Sequence, residues 1–238
     1  MKISVIIRTY NEERRLENVL NSLFSQNFTN YEVIIVDSES TDRTLQIAQK
    51  FDCKIVKIKK KDFDYSYASN VGAKYASGDI VYFLSGHSKP IGKKFLCKIA
   101  KAFENEKVGG VYGETLPYFD SGFIEGIFYR AGFLKTFIFS RKHKSETNLH
   151  PGILSCSNAG IRKTLWEKHP FDSRFGSGGE DVYMAHQIIQ EGYTIEKLKT
   201  LVVRHSHGKK IKEFKKELSN WSSMYDCVLS EIENEHVY

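Results

Sequence analysis

Ile3-Ser4-Val5-Ile6-Ile7-Arg8-Thr9-Tyr10-Asn11-Glu12 sets a β-branched run against an abrupt polar stop. The run reads as a buried strand. After Asn11 and an acidic pair, Leu16, Val19, Leu20 and Leu23 recur at the spacing of one helical face. The same unit then repeats. Val33 to Val36 ends at Asp37, Ser40 and Thr41 can cap a helix, and Leu45, Ala48 and Phe51 follow. Lys54 to Ile58 is a third strand, a helix is expected through Ala68 to Tyr75, and Ile80 to Leu84 reads as a fourth strand. Strand–helix alternation predicts parallel βαβ units, that is, an open sheet with helices on both faces and the frame of a nucleotide-binding fold.

In such a sheet ligands bind beyond the carboxyl ends of the strands. The polar residues where the apolar runs stop are therefore the first candidates: Arg8 to Glu12, Asp37 to Asp42, and Ser85-Gly86-His87-Ser88. No GxGxxG follows the first strand, which argues against a dinucleotide oxidoreductase. No glycine lies in Thr9 to Arg15, which argues against a nucleotidyltransferase with a glycine-rich phosphate loop.

Beyond Pro90 a helix carrying Phe95, Ile99 and Phe103 leads to a strand over Val108 to Tyr112, and the regular alternation stops. A helix is expected over Asp181 to Glu191, a strand over Leu201 to Arg204, and a C-terminal helix over Lys209 to Leu229. This divides one domain into a nucleotide-binding half, 1–115, and a second half, 116–238. Within the second half, Phe119 to Lys144 mixes aromatic and aliphatic residues with Arg130, Lys135, Arg141 and Lys142. That mixture suits either a membrane interface or a pair of amphipathic helices covering the sheet or a dimer contact.

The chain has 238 residues, of which 41% are hydrophobic, enough for one packed domain. Its four cysteines are widely spaced and form no CxxC pair, so they read as buried free thiols. The N-terminal apolar run is too short for a signal peptide, and no stretch has the length of a membrane span. The expected location is the cytoplasm, with contact at the inner membrane face if 119–144 meets lipid. The net charge of +6 comes partly from Lys57 to Lys61 and Lys209 to Lys216. With no recognition helix or aromatic RNA-binding motif beside that charge, nucleic acid is not an expected partner.

The series Val5 to Glu12, Val36 to Asp42, Ala68 to Gly72 and Ala76 to Leu84, continued by Asn158 to Arg162, Gly179-Glu180-Asp181 and His205-Ser206-His207, resembles the inverting glycosyltransferases of family 2. The pattern Phe83 to Pro90 together with His-Ser-His resembles its rhamnosyltransferase-like branch. The resemblance implies a GT-A fold: a Rossmann-like, mostly parallel α/β sheet flanked by helices, with an acceptor-side subdomain. It also implies transfer of a sugar from a nucleotide-sugar donor to a glycan or lipid-linked acceptor in surface polysaccharide synthesis. Thr9, Tyr10, Glu12 and Asp37 would line the nucleoside pocket, with Asn70, Ser85 and Arg162 also on the donor side. Asp181 would be the base that takes the acceptor proton, and Glu180 would orient acceptor or diphosphate.

The chain departs from the family at its Asp-x-Asp, which here reads Ser85-Gly86-His87. Three readings of His87 remain open: metal ligand, hydrogen-bond donor to the diphosphate, or structural histidine. A second histidine for the metal is expected from the His205-Ser206-His207 cluster, with His207 the choice. Imidazole ligands favour Mn2+ over Mg2+. The alternative to an enzyme is a degenerate nucleotide-sugar-binding or scaffolding protein that lost metal catalysis with Asp-x-Asp; the retained Asp181 and His207 argue against it.

Overall fold

Both faces of the first strand are apolar, so it can be stable only inside the sheet. A computed structural model, which describes residues 1–123, 126–128, 130–131, 143–207 and 211–235, places it there. The strands are β1 (Ile3–Thr9), β2 (Tyr31–Asp37), β3 (Lys54–Lys57), β4 (Ile80–Ser85), β5 (Lys89–Pro90), β6 (Val108–Leu116), β7 (His143–Glu146), β8 (Asn158–Arg162) and β9 (Thr194–Arg204). They form one nine-stranded sheet in the order β3-β2-β1-β4-β8-β6-β9-β5, with β7 also paired to β9. β8 runs antiparallel to both β4 and β6, so β6 and β9 point the same way as β1 to β4. The carboxyl ends of β1, β2, β4, β6 and β9 thus share one edge. Strands from both halves of the sequence build this sheet.

The helices are α1 (Leu16–Phe24), α2 (Thr44–Ala48), α3 (Tyr65–Lys74), α4 (Phe95–Ala102), α5 (Lys163–Lys168), α6 (Glu180–Gln190) and α7 (Ile211–Glu235). α1, α2 and α4 cover one face, where Leu16, Leu20, Leu23, Ile47, Phe95 and Ile99 pack on Ile3, Val5, Ile7 and Leu84. α3, α5, α6 and α7 cover the other through Ala68, Trp166, Val182, Ile188 and Val228 against Ile6, Val36 and Phe83. Each fully buried side chain of this size contributes about 1.5–3 kcal/mol, which explains why the central strands are continuous apolar runs rather than alternating ones.

Three expected boundaries move. α3 starts at Tyr65 rather than Ala68, because the Asp64 carboxylate caps it by accepting from Tyr67 N at 2.6 Å. β9 starts at Thr194 rather than Leu201. Its pairing with β6 slips between Leu198, opposite Gly113, and Val202, opposite Glu114, and this slip hides the two-residue alternation from the sequence. The described part of the C-terminal helix runs over Ile211–Glu235, past the expected end at Leu229. Lys209 and Lys210, like most of the aromatic and basic segment (Ile124 and 132–142), lie outside the described residues. No helix among the described residues is long and apolar enough to cross a membrane.

Candidate active site

At the end of β1 the chain turns through Asn11, whose φ of 53° is a left-handed conformation that Asn tolerates. Asn11 Oδ1 accepts from Thr41 N at 2.8 Å and thereby ties this turn to the one after β2. The fully buried Asp37 holds both strand ends. Its Oδ1 accepts from Thr9 Oγ1 at 3.0 Å and Ser40 Oγ at 2.6 Å, and its Oδ2 from Ser40 N at 3.0 Å. Thr9 is buried as well, so the ends of β1 and β2 are locked together at this edge of the sheet. Tyr10 stands above it, 40% exposed, with Lys60 Nζ donating to its hydroxyl at 2.5 Å and lying 4.3 Å from its ring centre. An exposed ring beside a lysine is an arrangement suited to a nucleobase and its anionic tail.

β4 ends at Ser85, whose Oγ donates to Ser157 Oγ at 3.4 Å. Two residues on, His87 meets the chain leaving β9. Its Nδ1 is 2.6 Å from Glu12 Oε1 and its Nε2 is 3.0 Å from His205 Nε2. The His207 ring centre lies 4.9 Å from that of His87 and 4.8 Å from that of His205. One ring nitrogen from each of the three histidines falls within 4.8 Å of the others. Extended backbone sends residues 205 and 207 to one side. Ser206 faces the other way and accepts from Tyr118 N at 3.4 Å, while the Tyr118 hydroxyl donates to the His87 carbonyl at 3.0 Å. The sequence pointed to His87 and His207; the structure adds the buried His205. The donor set fits a divalent transition ion.

The carboxylate pair opens α6. Gly179, with φ 94°, precedes Glu180, and both Glu180 and Asp181 lie in the first turn, where the helix dipole favours negative charge. Glu180 is 5% exposed; burial first and the Asp181 charge second push its carboxyl up, against Arg8. Burial also pushes Asp181 up, against the bonds that Val182 N donates to its Oδ1 at 2.8 Å and Cys156 N to its Oδ2 at 3.4 Å. Those two N–H groups favour the ionised form of Asp181, the form that a base requires. Burial, then the two carboxylates, hold the Cys156 thiol well above its ordinary range.

Arg8, which the sequence placed among the first candidates without a specific task, joins the two halves of the site. Its side chain is 9% exposed; Nη1 lies 3.6 Å from Glu180 Oε1 and donates to Ser69 Oγ at 3.1 Å, and Nη2 donates to the Cys156 carbonyl at 3.3 Å. The 156–157 segment in turn touches Ser85 and Asp181, which links the histidine cluster to the carboxylates.

Two expected donor residues are not in this assembly. Arg162 pairs with Ile80 at the start of β4, at the opposite edge of the sheet, and its guanidinium donates to the carbonyls of Phe103, Asn105 and Val108. An arginine at the end of an antiparallel strand points to the wrong edge, a reversal that its position in the sequence does not reveal. Asn70 is fully used in packing: it donates to the Phe171 carbonyl and accepts from Trp166 Nε1 and Phe171 N. The glycines before α6 admit α7, since a Cβ at Gly178 would lie 2.2 Å from Met224 Sδ and one at Gly179 2.8 Å from Val228 Cγ2.

Residues 4–169 match the sequence model of Glycosyl transferase family 2. The chain is 29% identical over 217 residues to the O-antigen chain rhamnosyltransferase RfbN of Salmonella typhimurium, covering 87% of this chain and 67% of that protein. It is 37% identical over 131 residues to the poly(ribitol-phosphate) beta-N-acetylglucosaminyltransferase TarS of Staphylococcus aureus, covering 49% of this chain but 22% of TarS. Among solved structures, S. aureus TarS in complex with UDP-GlcNAc superposes with a TM-score of 0.68 at 22% identity, over 88% of this chain and 60% of that one. The mannosyltransferase PcManGT from Pyrobaculum calidifontis, in complex with GDP-Man and Mn2+, superposes with a TM-score of 0.65 at 20% identity, over 86% of this chain and 56% of that one. These two likenesses are of fold, the GT-A fold, and the chain spans less than two thirds of either structure.

Proposed function

The chain belongs to glycosyl transferase family 2, and from that premise we propose that it is an inverting glycosyltransferase that moves a sugar from a nucleotide-sugar to a glycan or lipid-linked acceptor in surface polysaccharide synthesis. The observation that carries this reading is the meeting of the carboxylate pair Glu180–Asp181 and the histidine cluster at one edge of the sheet, joined through Arg8 and the 156–157 segment. The similarity to RfbN along 87% of this chain favours a deoxyhexose such as rhamnose as the sugar transferred.

The base stacks on Tyr10 over the floor of Thr9 and Asp37, and Lys60 faces the anionic tail. Asp181 accepts the acceptor hydroxyl proton as the acceptor oxygen bonds to the anomeric carbon from one face. The bond from that carbon to the diphosphate breaks on the other, inverting the configuration. Glu180, clamped by Arg8, orients the acceptor. A divalent ion held by His87, His207 and His205 would counter the charge of the departing diphosphate. An all-nitrogen ligand set favours Mn2+ over Mg2+. The donor-side face continues into an exposed aromatic surface at Phe119 and Phe123, and we read this as contact with the membrane that carries a lipid-linked acceptor.

The test is nucleoside diphosphate release from a panel of nucleotide-sugars that includes a rhamnose donor, UDP-GlcNAc and GDP-Man, with Mn2+, Mg2+ or EDTA. Turnover of one donor, dependent on Mn2+ and lost in Asp181→Asn and His87→Ala, is the expected result. Donor binding without turnover of any sugar, with acceptors supplied, would favour a scaffolding role.

A further inference from the structure

We propose that Glu12 is a positioning residue of a three-imidazole metal site formed by His87, His205 and His207, holding His87 in the tautomer that presents Nε2 to the ion. This rests on His87 being a ligand, as proposed above, and gives Glu12 a task different from lining the nucleoside pocket. A carboxylate can only accept, so at 2.6 Å from Glu12 Oε1 the proton of His87 sits on Nδ1. The Nε2 lone pair then faces His205 Nε2 at 3.0 Å. At this distance His205 Nε2–H donates to that lone pair, and two nitrogens about 3 Å apart are also near enough for both to reach one transition ion at about 2.1 Å once the proton leaves. A carboxylate behind a ligating histidine also makes the ring a better donor, and here it supplies the negative charge that three neutral imidazoles lack.

Two further features hold Glu12 in this place. Its backbone is fixed by Thr44 Oγ1, which accepts from Glu12 N at 2.7 Å, and by its own carbonyl, which accepts from Arg15 N and Leu16 N, both at 2.9 Å. Its side chain crosses Gly86, where a Cβ would lie 2.6 Å from Glu12 Cγ. Ser85-Gly86-His87 therefore reads as one device: a histidine placed as ligand and a glycine that leaves room for the carboxylate behind it.

The test is titration of the metal-free full chain with Co2+ alone, followed by its visible d–d absorption, a signature that a merely structural role of Glu12 would not move. The wild type is expected to show a band that saturates at one equivalent. Glu12→Ala should weaken Co2+ binding about 10–100-fold, with Glu12→Gln in between. Gly86→Ala, which displaces the carboxylate without removing it, should weaken it as well. If Glu12→Ala does not fold, Glu12→Gln and Gly86→Ala carry the test. Unchanged Co2+ affinity and spectrum in the folded variants overturn the positioning role and leave the metal site standing. No Co2+ band in the wild type overturns the metal site and the role of Glu12 together.

Discussion

Asp181 has to be ionised to act as a base, yet it sits where burial resists ionisation. A carboxyl whose folded-state value is raised contributes stability that is complete below the ordinary carboxylate range and lost as pH rises through the raised value. As the proposed base, Asp181 thus costs the fold stability in the pH range where its ionised form is needed, a tension between activity and stability. Asp181→Asn should abolish turnover. It should also raise Tm at pH 8 by about 3–6 °C, because a tenfold change in an ionisation equilibrium is worth about 1.4 kcal/mol and a chain of this size gains about 2–4 °C for each kcal/mol. Asparagine can keep the bond from Val182 N and gives up only the long one from Cys156 N at 3.4 Å. At pH 4, where the native carboxyl is protonated, the gain should vanish. Calorimetry at both pH values checks this, and an equal gain at both would contradict it.

Among the elements, the slip between β6 and β9 does most to shape the site. It carries the end of β9 forward so that Arg204 lies opposite Leu116 and His205 N donates to the Leu116 carbonyl at 2.8 Å, delivering His205 and His207 to His87. Gly113 makes the slip sterically possible, since a Cβ there would lie 1.9 Å from the Leu201 carbonyl oxygen. Backbone cannot yield as a flexible side chain does. Gly113→Ala is therefore expected to destabilise the protein by about 3 kcal/mol, the upper end of ordinary overpacking. Urea unfolding measures the loss, and a shift of the midpoint by less than a third of that would mean that β9 accommodates the methyl group by moving.

Over the molecule as a whole, polar and apolar surface are unevenly placed. Phe119 and Phe123 are 83% and 80% exposed, Ile127 is half-exposed, and the Arg204 guanidinium lies 4.2 Å from the Phe119 ring centre, next to the histidine cluster. Exposed rings beside basic side chains suit the boundary of an anionic bilayer. In flotation, the protein should rise with vesicles rich in anionic lipid and should do so less with neutral ones. The double variant Phe119→Ser, Phe123→Ser should stay behind, since each buried phenylalanine is worth about 1.5–3 kcal/mol. Flotation of the double variant at the wild-type level would move the contact elsewhere on the surface.

What the sequence by itself determined is local and periodic: the strand–helix units of the first half, the polar stops at Thr9, Asp37 and Ser85, the pairing of Glu180 with Asp181 at a helix start, and a histidine where the family keeps an acidic residue. Each depends on neighbours within a few positions, so it survives in a linear reading. Tertiary structure decided the rest, because it depends on which strands run against the others and on which distant side chains meet. The antiparallel course of β8 sends Arg162 to the far edge, the bulge in β9 brings in His205, and the approach of α6 to the end of β1 pairs Arg8 with Glu180. The use of Asn70's hydrogen bonds on Phe171 and Trp166 and the crossing of Glu12 over Gly86 belong to the same class. Spacing along the chain carries no record of direction, register or enclosure, and those three properties assign the site residues their chemistry.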